Sequence, residues 1–392
     1  MDRGLGRSMA EAFVTQTVLV TGGDGYLGSR TALRLLSDSD AAVILFVHAN
    51  SEGERTSKHS RLSTRFAAYA NRVSFAFGEL ARDSALSELP TESITGIVHT
   101  AAVTTFNVDQ QTAQNVNVDG TRRLAEFARR CSRLESFLHL STIYVSGLTA
   151  GHMPEALLDT PAQFANHYEA SKFRSEILLS EQFRDLPWRI VRLATVIADD
   201  DSGNVGQFNV VHRILRLLYL GLLPIVPGEQ SVPLHFITGH FAINALMKLR
   251  NDLPVHEVLH LCHAAHEAPS LKSLLDMAYE CFLEDRDFVT RRVLKPLLTD
   301  EYSFAYMADH IEMFSAPAFR QAVSLMRPFA KQMFVTKQVC NTKVATLSDY
   351  SAPDFQRLVK AVGRWLLAEH WMIATLDSPT ANPMERVKRV KS

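Results

Sequence analysis

The chain is poor in cysteine. Its 392 residues hold four, Cys131, Cys262, Cys281 and Cys340, with no Cys-x-x-Cys pair. This argues against a disulfide framework or a thiolate zinc site and matches isolated thiols in a reducing compartment, so a cytoplasmic protein is expected. It also lacks an excess of charge of either sign. Lys and Arg number 41 against 42 Asp and Glu, for a net charge of −1 and a pI near 7.0. No global field gathers nucleic acid or an anionic membrane, and neither is an expected partner. The small basic stretch Arg386 to Lys391 reads as a solvated terminus. Long hydrophobic runs are missing too. The longest, Leu217 to Val226, is broken by Gly221 and Pro224 and is too short to span a bilayer. Residues 1–13 contain no apolar h-region, which argues against a secretion signal. There are no repeats and no low-complexity tracts. What is left, 46% hydrophobic and 21% charged, is ordinary globular composition, long enough for one large domain with an appendage or for two domains.

What is present begins at Thr17-Val18-Leu19-Val20-Thr21, a short β-branched and apolar run that ends in Gly22-Gly23-Asp24-Gly25-Tyr26-Leu27-Gly28 and passes into the helical pattern Thr31 to Leu36. Gly22, Gly25 and Gly28 make a G-x-x-G-x-x-G spacing. A dinucleotide site needs these parts: a tight turn free of Cβ sterics, backbone N–H groups that approach a pyrophosphate, and a helix packed closely on the strand with its N-terminus facing the anion. A glycine-rich turn with no ligand has the same spacing, but the strand before it and the helix after it favour the dinucleotide reading.

Further strands are expected at Ala42 to Val47, Val73 to Phe77, Gly96 to His99, Ser136 to Leu140 and Trp188 to Leu193, with helices over about Val118 to Cys131 and Tyr168 to Ser180. The stretch His48 to Arg61 reads as a polar segment. Strands alternating with helices predict an α/β fold, a doubly wound parallel sheet with helices on both faces. Beyond Ala198 the pattern changes, with two returns to the sheet at Leu234 to Ile237 and Val258 to Leu261. The expected organisation is a dinucleotide-binding Rossmann-type domain over 14–200 with returning segments at about 232–262. A smaller, mainly helical C-terminal substrate-binding domain takes 201–231 and 263–372, between flexible termini at 1–13 and 373–392. The closing helix, Asp354 to Trp371, places Phe355, Leu358, Val359, Val362, Leu366 and Trp371 largely on one face, which suits either a core or a membrane surface.

Tyr168 and Lys172 stand four apart on an expected helix and so share a face. An ammonium beside the phenol favours the phenolate and lowers its pKa from about 10, so that a proton passes to or from a carbonyl oxygen near neutral pH. A surface pair on an amphipathic helix has the same spacing. Position favours chemistry: the fifth strand ends in Leu140-Ser141-Thr142, and ligands of doubly wound sheets sit at the carboxyl ends of strands. There the Thr142 hydroxyl is in place to bond a substrate oxygen, or simply to cap a turn.

The set Thr21-Gly22-x-x-Gly25-x-x-Gly28, Gly78-Glu79-Leu80, His99-Thr100-Ala101-Ala102, Asn117-Val118-Asp119-Gly120-Thr121, Ser141-Thr142 and Tyr168-x-x-x-Lys172 resembles the extended short-chain dehydrogenase/reductase family over about residues 15–200. The resemblance implies that Tyr168 is the general acid/base, that Lys172 binds the nicotinamide ribose and tunes Tyr168, and that Thr142 orients the reacting oxygen. It implies a cofactor site from Gly22, Gly25, Tyr26, Leu27, Gly28, Ala101, Ala102, Leu193 and Val196, with Glu79 and Leu80 beside the adenine. Within the family, Val98 to Phe106, Leu138 to Gly147, Asn166 to Glu176, the Pro224 to Gly228 turn and the long C-terminal part resemble the thioester reductase and fatty acyl-CoA reductase branch. That branch implies reduction of a thioester on an acyl carrier protein or CoA to aldehyde or alcohol. The family's other activities, on small ketones, alcohols or nucleotide-sugars, use the same residues, and a non-catalytic dinucleotide sensor is a further reading. No pattern marks dimerisation helices. The branch's arginine after the second strand is replaced here by His48, with no acid at that strand end for a free ribose diol. Arg55, Lys58 and Arg61 follow, and Arg61 fits the branch's second basic position, so NADPH is expected over NADH. Glu79 stands for the usual aspartate. Arg192-Leu193 lacks the usual proline after the arginine.

Overall fold

The computed structural model describes residues 16–82, 84–158, 163–314, 316–346, 351–369 and 371. The termini expected to be flexible, 1–13 and 373–392, lie outside the described residues. Seven strands form one parallel sheet: β1 Thr17–Thr21, β2 Ala42–His48, β3 Val73–Gly78, β4 Ile94–His99, β5 Ser136–Thr142, β6 Trp188–Leu193 and β7 Glu257–Leu261, in the order β7-β6-β5-β4-β1-β2-β3. The strands are near-continuously apolar because both faces are covered. On one face Val18, Val20, Val98, Leu138 and Leu140 pack on helices α1 (Tyr26–Asp38), α2 (Glu52–Arg65) and, later in the chain, Gly239–Asp252. On the other, Leu19, Ile97, Phe137 and Ile190 pack on α3 (Gly120–Arg129) and α4 (His167–Gln182). Strand order reverses direction between β1 and β4, and their carboxyl ends form the crevice where such sheets bind ligands.

Two expectations change in this half. The polar stretch after β2 is helical: Ser51 caps α2 by accepting from Glu54 N–H at 3.2 Å, yet within the helix only Leu62 is buried, so no apolar period announces it. The helix expected from Val118 starts earlier, at Gln110, and passes through a π-helical turn over Gln114–Asp119 into α3.

A second apolar core lies beyond residue 196. It joins α5 (Val210–Tyr219), α6 (Leu271–Phe282) and α7 (Phe355–Ala368). The inward face of α7, Phe355, Leu358, Val359, Val362 and Leu366, is buried in this core, and Trp371 follows it there; this replaces the membrane-surface alternative. A Cβ on Gly363 would stand 2.8 Å from Cys281 Sγ, so the bare backbone lets α7 approach α6. Short parallel pairs interrupt the helical pattern: Thr195–Ala198 with Phe236–Thr238, Ile225–Pro227 with Leu297–Thr299, and Gly151–Met153 with Lys337–Val339. The last carries the C-terminal part back to the loop that follows β5. All four cysteines are free thiols. Among the described residues no helix is long and apolar enough to cross a membrane.

Candidate active site

The turn after β1 has the shape that the glycine spacing predicts. Gly22 sits at φ +68°, a conformation that favours glycine, and accepts from Gly25 N–H at 2.9 Å. A Cβ on Gly28 would stand 2.2 Å from the Gly22 carbonyl, so only a hydrogen there lets α1 close on the turn. Helix α1 begins at Gly25 with no side-chain cap, which leaves its first-turn N–H groups, those of Tyr26, Leu27 and Gly28, to an external acceptor. The segment after β4 folds over the same turn: Thr100 Oγ1 donates to the Thr21 carbonyl at 2.6 Å and Ala101 N–H to Thr21 Oγ1 at 3.2 Å. Ala101 and the adjoining Ala102 therefore flank the cradle. These residues fit a dinucleotide pyrophosphate. The Tyr26 side chain faces elsewhere. It donates to Asp199 Oδ1 at 2.5 Å, Arg30 pairs with the same carboxylate at 2.9 Å, and Gly206 N–H adds a third bond at 3.1 Å. This ties the start of α1 to the 199–206 loop and leaves only the Tyr26 backbone for a cofactor.

Beneath the crevice the parallel register places Thr21, His99 and His139 side by side on β1, β4 and β5. His99 Nδ1 meets Thr21 Oγ1 at 2.7 Å and its Nε2 meets Thr121 Oγ1 at 3.0 Å. Thr121 donates its own proton to the Asn117 carbonyl at 2.6 Å, so it accepts from His99, which carries its proton on Nε2. Burial, with Lys172 nearby, holds His99 near 3 and neutral. Asn117, in the π-helical turn, exchanges two bonds with the Val103 backbone at 2.8 and 3.0 Å and donates to Ser171 Oγ at 2.8 Å, which locks the loop after β4 to α4.

Helix α4 presents Tyr168 and Lys172. Asn166 caps it by accepting from Glu169 N–H at 3.0 Å. Thr142, at the end of β5 and in register with Leu193 on β6, neighbours the Tyr168 phenol, and its hydroxyl accepts from Tyr144 N–H at 3.3 Å. The expected lowering of the phenol by Lys172 is not what the structure has. Burial raises Tyr168 above its usual range, and the neighbouring Thr142 hydroxyl only opposes it. The buried Lys172 ammonium lies 3.3 Å from His139 Nε2, and burial brings it down to about 8 against the pull of Glu176. Glu176 itself holds Arg192 at 2.7 Å in the interior, so the arginine of the Arg192-Leu193 step braces β6 against α4.

Around Tyr168 stand aromatic residues from the Val98 to Phe106 and Leu138 to Gly147 motifs, together with Phe329, which carried no sequence signal. The rings of Phe106 and Tyr168 are 5.9 Å apart, Phe106 and Tyr144 6.2 Å, and Phe106 and Phe329 6.0 Å. Tyr144 Oη lies 3.4 Å from Thr195 Oγ1, and Val196 follows, its carbonyl accepting from Asn209 at 2.7 Å. Next to Tyr168, the buried Glu169 accepts from Gln332 at 2.9 Å. Lys337 donates to Gln332 at 2.7 Å and to the Gly147 carbonyl at 2.5 Å. Burial pushes the Glu169 carboxyl up and the Lys337 amine down. This cluster seats residues 329–337 against α4.

At the other end, past β2, Lys58 donates to the His48 carbonyl at 2.7 Å and pairs with Asp24 and Glu54, each at 3.0 Å; Arg61 lies 3.8 Å from Asp24. Glu79 lies 3.9 Å from His48 and 2.6 Å from Arg82, and Leu80 is buried against Gly120. The linear reading counted no acid at the end of β2. The glycine turn supplies one, Asp24.

Strand order, glycine turn and the Thr142, Tyr168 and Lys172 set define an NAD(P)-dependent oxidoreductase of the extended short-chain dehydrogenase/reductase type. Within it, the chain belongs to the male sterility protein family, whose NAD-binding domain matches residues 20–246. It is 28% identical over 227 residues to the isonitrile lipopeptide synthase of Streptomyces coeruleorubidus, a match covering 55% of this chain and 15% of that protein's length. Its fold resembles the terminal R domain of the myxalamid PKS-NRPS biosynthetic pathway, with a TM-score of 0.71, 18% identity and 93% of each chain covered. It also resembles UDP-glucuronic acid 4-epimerase from Bacillus cereus, with a TM-score of 0.61, 18% identity, and 90% of this chain and 99% of that one covered.

Proposed function

We propose that the protein reduces an acyl thioester, presented on an acyl carrier protein or CoA, to the aldehyde or on to the alcohol, with NADPH as reductant. The observation that carries this reading is the aromatic cluster in which Phe106 packs on Tyr168, Tyr144 and Phe329, a surface for an acyl group rather than for a sugar diphosphate. The likeness to an R domain over 93% of both chains supports it. Two basic residues of the C-terminal part that could meet a nucleotide-sugar have partners of their own: Lys295 pairs with Asp276 at 2.6 Å, and Arg291 lies 4.7 Å above the Tyr219 ring.

Bound NADPH supplies the hydride. The open N–H groups of α1 would hold its pyrophosphate, Lys172 its nicotinamide ribose, and Arg61 its 2′-phosphate. Thr142 and Tyr168 hydrogen-bond the thioester carbonyl oxygen as charge develops on it, stabilisation typically worth several kcal/mol. A phenol that burial keeps protonated is in the right state to give its proton to that oxygen. The test is NADPH oxidation against a long-chain acyl-CoA, a short acyl-pantetheine thioester, an aliphatic aldehyde and a simple ketone. Thioester turnover with trapped aldehyde or alcohol supports the reading. Turnover of ketone or aldehyde alone moves the protein to the general reductases.

A further inference from the structure

From the charges at the adenosine end of the site, we infer that Asp24 determines cofactor choice by opposing a 2′-phosphate. The inference deepens the cofactor reading above and rests on it. Asp24 lies in the glycine turn at the carboxyl end of β1, and Lys58 bridges it to the His48 carbonyl at the carboxyl end of β2. In doubly wound sheets those two strand ends face the adenosine ribose. Lys58 has three donors and all are taken, by the His48 carbonyl at 2.7 Å, Asp24 Oδ2 at 3.0 Å and Glu54 Oε1 at 3.0 Å. Glu54 is itself fixed by the Asn50 N–H at 3.0 Å. Arg61 stands 3.8 Å from the same Asp24 oxygen.

The remaining charges follow the same alternation. Arg65, on the next turn of α2, is lowered by burial and by repulsion from Arg30 and Arg61. Arg30 is matched by Asp199, Arg55 by Glu52 at 3.5 Å, and His48 faces Glu79 at 3.9 Å. Asp24 thus sits where a 2′-phosphate would seek its cations. A phosphomonoester brings about −1.5 to −2 charge at neutral pH and must displace Asp24 from Lys58 and Arg61. A 2′-hydroxyl can instead donate to Asp24 without disturbing either pair. The carboxylate therefore narrows the preference for a phosphorylated ribose that Arg61 and Lys58 would otherwise confer.

The experiment measures dissociation constants of 2′,5′-ADP, 5′-AMP, NADPH and NADH for the wild type, Asp24→Asn, Asp24→Thr and Arg61→Ala by calorimetric titration. Thermal unfolding of each variant confirms that it is folded, and the two Asp24 substitutions check each other. Both are expected to bind 2′,5′-ADP and NADPH about tenfold more tightly, a change of about 1.4 kcal/mol, while 5′-AMP and NADH hold or weaken. The gain should shrink at high salt, because it is electrostatic. Arg61→Ala should lose affinity for 2′,5′-ADP and keep it for 5′-AMP. Unchanged ratios of 2′,5′-ADP to 5′-AMP affinity in both folded Asp24 variants overturn the inference, and a wild-type preference for NADPH would then still uphold the cofactor reading. A wild type that prefers NADH, with Asp24 variants that turn toward NADPH, upholds the role of Asp24 and overturns NADPH as the cofactor.

Discussion

Tyr168, Thr142 and Lys172 share one site because the end of β5 faces α4, but each is tuned by a neighbour that spacing does not reveal. The phenol is held up by burial, and Lys172 rests on His139 rather than serving only its helical neighbour four residues back. Tyr168→Phe removes the proton donor and leaves the cofactor cradle intact. Turnover should fall by at least about a hundredfold, the usual weight of one positioned acid, while the dissociation constant for NADPH stays within about twofold, which corresponds to well under 1 kcal/mol. Near-normal turnover removes Tyr168 from the mechanism. The Tyr-x-x-x-Lys spacing was legible in the sequence. The acceptor for Lys172 was not, because His139 lies on β5, 33 residues away.

Among the elements, α1 and β1 were readable from their glycines and apolar runs. Helix α2 was not, since it is held by a Ser51 cap and buries only Leu62. The closing helix α7 shows the reverse case: its apolar stripe was plain, and only packing decided what covers it. Leu358 is 1% exposed in the second core, so Leu358→Ala deletes buried methyl groups and leaves a cavity. The expected loss is about 2–5 kcal/mol, read as a lower urea midpoint. Because Leu358 belongs to the second core rather than to the Tyr168 site, turnover of the folded fraction should remain. A midpoint equal to the wild type's would mean that α7 does not pack as described.

Across the whole molecule, neutral imidazoles in the interior make stability depend on pH. Burial holds His99 and His260 near 3 and His212 near 4, each below the usual value of about 6.5. The sign follows from linkage. Between the folded and unfolded values the unfolded chain binds more protons, so this stability is present above about pH 6.5 and is lost as pH falls. Each such histidine contributes a slope of up to about 1.4 kcal/mol per pH unit. The urea midpoint should therefore drop clearly between pH 7.5 and pH 5.5. A flat profile would mean that these histidines are solvated or already protonated.

The linear chain by itself determined the α/β alternation, the glycine turn, the strand end that carries Thr142 and the helix that carries Tyr168 and Lys172. Those features rest on local rules: period, turn sterics and spacing on one face. Only the tertiary structure decided that Asp24 meets Lys58 and Arg61, that Phe106 packs on both Tyr168 and Phe329, and that Glu169, Gln332 and Lys337 join in one buried cluster. These partners lie from 5 to 223 residues apart in the sequence, and no local pattern encodes their meeting. It follows from the strand order of the sheet and from the return of the C-terminal part to the loop after β5.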